Sequence, residues 1–326
     1  MRTKTTIAAA ALALAALAPG AGAQEKITFR LDWTFYGAHA PFYLGVAKGL
    51  YKAEGLDVTI AEGNGSGNTA KVVAQGNDPL GFMDYGTMVK GVAGGMPLVA
   101  IFGVHQKNPM VIISHADAPL KSPKDLEGKV VAMAPAESTA QMYPVMMAAA
   151  GVDPAKVNVL APAVGAKSAL FLQKRADAIT GVTYFHIPQL EAQGAKLHTF
   201  SYADFGVTAL EGGIVANAEW LAKNGAAAKR FLKATAAAWA AAKADPAGAV
   251  DAAVKAKPEL EKTRAVHLRQ LALTFEIVET SNTKGKPLGT MSEADWKAML
   301  DVLEKTKQIA QPIAPEKVFT NAHVPQ

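Results

Sequence analysis

Residues 26–61 read KITFRLDWTFYGAHAPFYLGVAKGLYKAEGLDVTIA, and their pattern is strand, loop, helix, strand. Lys26–Leu31 alternates polar and apolar residues, the period of a strand with one face buried. Pro41–Ala53 reads as a helix, with Pro41 in the first turn, where its missing N–H costs nothing, and Gly55 just beyond the end. Leu56–Ala61 alternates again. Between the first strand and the helix, Leu31–Pro41 gathers an acid, three aromatics and a histidine (Asp32, Trp33, Phe35, Tyr36, His39) into one loop.

The unit repeats along the chain. A glycine-rich turn leads to a short helix over Asn68–Gln75, then Leu80–Met83, a helix over Thr87–Gly94, and Leu98–Phe102. Strands separated by helical segments imply a parallel sheet with helices on both faces. Met110–Ser114 is a further strand. Lys129–Met133 opens a shorter series, with helices over Gln141–Ala150 and Ala166–Gln173 and strands at Val157–Leu160 and Ala178–Gly181. From Ala218 onward the chain reads as nearly all helix, and Trp220, Phe231, Trp239, Trp296, Leu300 and Leu303 fall where core anchors belong. A helical tail of this size would return to pack on the first series. The expectation is an α/β chain of two lobes, 24–108 plus 212–326 and 109–211, joined by two crossings.

The first 23 residues carry Arg2 and Lys4, an apolar run from Ile7 to Ala18, and Ala21-Gly22-Ala23 as a cleavage site. That is the pattern of a secretory signal peptide, too short to span a bilayer. Its removal would take the formal charge from +5 to +3. The sequence has no cysteine, hence no disulfide, no thiolate metal site and no lipoprotein attachment point. A periplasmic monomer, not embedded in the membrane, is expected. Basic residues are dispersed rather than clustered, which argues against a nucleic-acid partner.

Several strand ends carry chemistry. In open α/β sheets, ligands lie beyond the carboxyl ends of strands. Met83, Asp84 and Tyr85 follow one strand, Tyr184 and Phe185 another, and Asp32, Trp33, Tyr36 and His39 the first. Gly63–Asn68 (GNGSGN) matches neither a Walker loop nor a dinucleotide fingerprint. Its competing readings are a plain loop, or a tight turn at Gly65 and Ser66 that brings backbone N–H groups to a ligand. Ser138 and Thr139 open a helix, where they either cap it or hydrogen-bond a ligand oxygen. No nucleophile elbow and no metal-ligand spacing occurs among the serines and histidines, so no catalytic residue, metal or cofactor is expected.

LDWT with His39 following, VAKGLYKAEGLDVTI (46–60), KSPKDLEGKVVAM (121–133), AAGVDPAKVNVL (149–160) and GGIVANAEWLAKN (212–224) together resemble the substrate-binding proteins of ABC importers. The group concerned includes binders of thiamine-pyrimidine precursors, sulfonates and nitrate. The resemblance implies a type II periplasmic binding fold that closes on a small-molecule ligand and hands it to a permease. It matches Leu31, Asp32, Trp33 and His39. Where the pyrimidine-precursor binders have asparagines, this chain has Tyr36 and Ala38, and Gly181–Ile187 keeps an aromatic cluster but lacks their glutamate. The implied ligand is a small aromatic or heteroaromatic metabolite, with ring faces from Trp33, Tyr36, Tyr85, Tyr184 and Phe185. Its preference would be written in the divergent positions Phe35, Tyr36 and Ala38. A sulfonate, nitrate or other organic anion is the alternative, although Arg175 reads as solvent-facing and no arginine lies between it and Arg30. A pyrimidine-synthase-like enzyme and a partner of a periplasmic sensor are the readings from other classes.

Overall fold

Two five-stranded sheets organise the chain, which the computed structural model describes over residues 24–163, 165–207 and 210–326. The expected signal segment, 1–23, lies outside the described residues. The first half runs β1 (Glu25–Arg30), α1 (Ala40–Ala47), α2 (Leu50–Ala53), β2 (Leu56–Ala61), α3 (Ser66–Ala74), β3 (Leu80–Asp84), α4 (Tyr85–Ala93) and β4 (Leu98–His105). The chain then crosses at 106–109 and builds β5 (Met110–His115), β6 (Val130–Ala132), α5 (Ser138–Ala149), β7 (Asn158–Leu160), α6 (Lys167–Leu172), β8 (Ala178–Val182), α7 (Thr183–Glu191) and β9 (Leu197–Ser201). It returns through 202–211 into β10 (Gly212–Asn217), followed by α8 (Ala218–Ala244), α9 (Pro246–Ala256), α10 (Arg264–Phe275) and α11 (Glu293–Lys305).

The strand orders are β2-β1-β3-β10-β4 and β7-β6-β8-β5-β9. The architecture is the type II periplasmic binding fold. Neither sheet is wholly parallel, which corrects the sequence expectation. β10 runs antiparallel to β3 and β4, and β5 runs antiparallel to β8 and β9. In both sheets the reversed strand is the one that follows a crossing, since a chain arriving from the other sheet enters from the opposite end. β9 and β10 were not expected as strands, and the single helix expected over 41–53 is broken at Lys48-Gly49 into α1 and α2.

The helical tail packs back on the first sheet. Phe29 of β1 meets Phe42 of α1 at 4.9 Å and Phe231 of α8 at 5.2 Å between ring centroids. Trp239 closes the same cluster against Phe42. Side chains of this size contribute about 1.5–3 kcal/mol each when fully buried. Trp296 of α11 lies between Tyr85 and Phe319, and Thr320 N–H donates to Ala100 O at the β4 edge. Trp220 is half-buried at the rim of the core. Asn217 caps α8 through the amides of Glu219 and Trp220, both at 3.0 Å.

Candidate functional site

The loop between β1 and α1 is held from two sides. Trp33 O accepts from Gly63 N–H and Asp32 O from Gly65 N–H, the latter at 2.7 Å. From behind, Gly37 N–H donates to Gln270 Oε1 of α10 at 2.9 Å. A Cβ at Gly37 would lie 2.1 Å from His267 O, so only glycine lets the loop sit on α10. His39 Nδ1 accepts from Tyr36 N–H, which leaves its proton on Nε2 for Asp32 Oδ1 at 2.8 Å. Tyr36 OH donates to Asp32 Oδ2 at 3.3 Å. The carboxylate is thereby fixed in orientation at the edge of a cavity.

The facing wall comes from the second sheet. The N-terminus of α7 supplies Tyr184, Phe185 and His186, and that of α5 supplies Ser138 and Thr139, with Glu137 as its N-cap residue. Tyr36 and Tyr184 stack across the gap with ring centroids 5.7 Å apart and planes 20° from parallel. Phe185 meets Trp33 edge-on at 6.4 Å and Tyr36 at 5.2 Å. Gln270 ties the walls together, since its Nε2 donates to Phe185 O at 3.1 Å while its Oε1 holds Gly37. Elsewhere Gly67 N–H donates to Ala136 O, and Lys90 Nζ to Gln141 O.

The crossings reach the same place. Glu211, at the end of the second crossing, accepts from Tyr184 OH at 3.0 Å and from His105 Nδ1–H at 2.6 Å. His105 ends β4, just before the first crossing. One carboxylate thus joins both connections to the aromatic wall. The space between and just outside the walls is about 410 Å³, part of it open to solvent. The shape is a slot rather than a chamber.

Burial, followed by the nearby carboxylates Asp32 and Glu211, pushes the Tyr36 phenol well up; burial and Glu211 do the same for Tyr184. Both are neutral hydroxyl donors. Burial, reinforced by Lys167, holds His186 well below the ordinary imidazole range. Its Nδ1 accepts from Val182 N–H at 3.0 Å, so the neutral ring carries its proton on Nε2. Glu137 pairs with Lys167 Nζ, both almost fully buried. Burial pushes Glu137 up against the pull of Lys167, and lowers Lys167 in turn.

The NMT1/THI5-like family model matches residues 37–249, a span that takes in the loop from Gly37, both crossings and the facing wall. The chain belongs to this family. A formylaminopyrimidine-binding protein of Halalkalibacterium halodurans is 23% identical over 302 residues, 92% of this chain and 91% of the relative. The riboflavin-binding protein RibY of Chloroflexus aurantiacus is also 23% identical, over 99% of this chain and 92% of its own length. Among solved structures, the alkanesulfonate-binding protein SsuA of Xanthomonas axonopodis pv. citri, bound to MOPS, superposes with a TM-score of 0.67 at 16% identity. That match covers 91% of this chain and 98% of the SsuA chain, and it shows the shared fold.

In this NMT1/THI5-like protein, nine of the expected residues line the slot: Asp32, Trp33, Tyr36, Gly65, Ser66, Ser138, Thr139, Tyr184 and Phe185. His39 does not; it is fully buried behind Asp32, which it positions. Met83, Asp84 and Tyr85 do not line the slot, because their strand end turns into the core. Met83 is buried in β3, Asp84 caps α4 through Thr87 N–H, and Tyr85 OH donates to Phe102 O at 2.8 Å. Phe35 and Ala38 also face the core, Phe35 against Tyr43 and His267. Gly63, Gly65 and Gly67 direct their amides to protein carbonyls rather than presenting them as a cradle. Sequence reasoning missed Glu137, Val182, His186 and Glu211 on the lining, and Gln270 behind it. Glu137 directly precedes Ser138 and Thr139, and His186 lies within the aromatic cluster of Gly181–Ile187, so both adjoin expected residues; Glu211 and Gln270 have no local signature.

Proposed function

We propose that this chain is the solute-binding component of an ABC importer, which captures a flat heteroaromatic metabolite, pyrimidine-like in character, and delivers it to a membrane permease. One observation carries the reading: Trp33 and Tyr36 from one side and Tyr184 and Phe185 from the other converge on a single slot, so that its walls are lined by rings. Offset stacking on such rings is worth about 0.5–1.5 kcal/mol per pair beyond burial. The names of the full-length relatives, which bind a formylaminopyrimidine and riboflavin, support a ring-shaped ligand. Asp32, Glu137 and Glu211 on the lining disfavour a sulfonate or nitrate, whose oxygens would face acceptors. Residues 24–108 plus 212–326 and 109–211 are the two lobes in this reading, closing about the crossings at 106–109 and 202–211. Export to the periplasm, a monomeric state and binding without chemistry belong to the same proposal. Thermal denaturation of the mature chain with riboflavin, 4-aminopyrimidine, methanesulfonate and nitrate tests it, because a ligand that binds only the folded state raises the midpoint. The heteroaromatics are expected to raise it; stabilisation by the anions alone would overturn the reading.

A further inference from the structure

Three carboxylates line the slot, and two of them have both oxygens occupied. Asp32 receives His39 on Oδ1 and Tyr36 on Oδ2. Glu211 receives Tyr184 on Oε1 and His105 on Oε2. Glu137 is different. Its Oε2 receives Lys167 Nζ and Thr139 Oγ1, whereas its Oε1 is buried and has no partner among the described residues. A buried acceptor with no donor bears the full cost of its desolvation, and buried polar atoms of this kind are rare in folded proteins. Lys167, itself fully buried, holds the carboxylate through Oε2. No hydrogen-bond donor among the described residues reaches Oε1.

We propose that Glu137 Oε1 is a specificity-determining contact of the slot, accepting a hydrogen bond from an N–H carried by the ligand. The inference rests on the aromatic-ligand reading and narrows it to heteroaromatic molecules with an amino group or another ring-attached N–H. Such a donor completes Glu137 as Tyr36 and His39 complete Asp32. A sulfonate, a nitrate or a ring bearing only acceptors would set oxygen or nitrogen lone pairs against Oε1. His186 adds the complementary group, since its Nε2–H is free to donate to a ring nitrogen or carbonyl of the same ligand.

Calorimetric titration with two probes, 4-aminopyrimidine and 4-(dimethylamino)pyrimidine, tests the contact, because the second ring lacks the N–H. The wild-type chain is expected to bind the amine about tenfold or more tightly than its dimethyl derivative. The double variant Glu137→Met/Lys167→Met replaces the buried pair by apolar side chains of similar length, a change that folded proteins tolerate. In it the preference is expected to shrink to about threefold or less, the remainder being the bulk of the methyl groups. Equal binding of the two probes by the wild-type chain would overturn the inference, as would an undiminished preference in the double variant. If that variant does not fold, the wild-type ratio decides alone. Binding of riboflavin with neither pyrimidine preferred overturns the Glu137 contact and leaves the aromatic slot standing; failure of every heteroaromatic overturns both.

Discussion

Asp84 is buried with no salt-bridge partner among the described residues, and burial, followed by the charge of Glu211, pushes its carboxyl up to about 7 against the bonds from Thr87 and the weaker pull of Lys90. In the unfolded chain the same group titrates near its ordinary value of 3.8. Between about pH 4 and pH 7 the folded protein therefore holds a proton that the unfolded chain has released, and stability falls as pH rises through that window. Asparagine caps a helix as well as aspartate, so Asp84→Asn keeps the cap and removes the titration. The unfolding free energy of the wild type is expected to fall from pH 5 to pH 8 by more than that of the variant, a difference on the order of a few kcal/mol at most; parallel pH profiles would show that Asp84 stays charged. Its neighbour Tyr85 tests the boundary of the slot. Tyr85→Phe removes the donor to Phe102 O and is expected to cost about 1–3 kcal/mol in denaturant unfolding while leaving ligand affinity unchanged. A large loss of affinity would return Tyr85 to the site. Tyr85 and Tyr184 look alike in sequence, each an aromatic at a strand end; they differ because Tyr85 packs on Trp296 of α11, whereas Tyr184 packs on Tyr36 of the facing loop and lines the slot.

At the scale of elements, the βα alternation is plain in the sequence because strand and helix periods are local. The reversed strands are not, since direction depends on where the chain re-enters a sheet. β10 is further hidden by its opening Gly212-Gly213, a weak strand former, and β9 by having only one buried residue in five. The glycine loop before α3 left two readings open in sequence, a plain loop or a turn that brings N–H groups to a ligand, and its packing gives it a further task. Gly65 has φ +92°, and a Cβ there would lie 2.4 Å from Ala136 O on the facing wall. Gly67 has more room, with that oxygen 3.5 Å from an added Cβ. Gly65→Ala is accordingly expected to weaken ligand binding about tenfold or more, since it pries the walls apart and strains the backbone by about 1–3 kcal/mol. Gly67→Ala is expected to bind within about twofold of wild type. Equal affinities for the two variants, measured by titration, would show that this contact does not belong to the ligand-bound state.

For the molecule as a whole, the walls of the slot come from distant segments, 32–66 on one side and 137–186 on the other, and the carboxylate that joins the crossings to the aromatic wall, Glu211, lies in a connection with no motif. That is why the rings and Asp32 were legible and Glu211 and Gln270 were not: a loop rich in aromatics at a strand end announces itself locally, whereas Glu211 and Gln270 act only through the crossing and the returning helical tail. No helix among the described residues is long and apolar enough to cross a membrane, and the family's full-length named relatives are binding proteins. The central claim is that the four rings grip a planar ligand. Calorimetric titration of wild type and Trp33→Ala with whichever heteroaromatic raises the melting midpoint tests it most directly. Trp33 is half-buried and packs on Phe185 alone among the slot's rings, so its removal is expected to leave the fold intact and to weaken binding by about tenfold or more. Unchanged affinity in a folded Trp33→Ala protein would contradict the account.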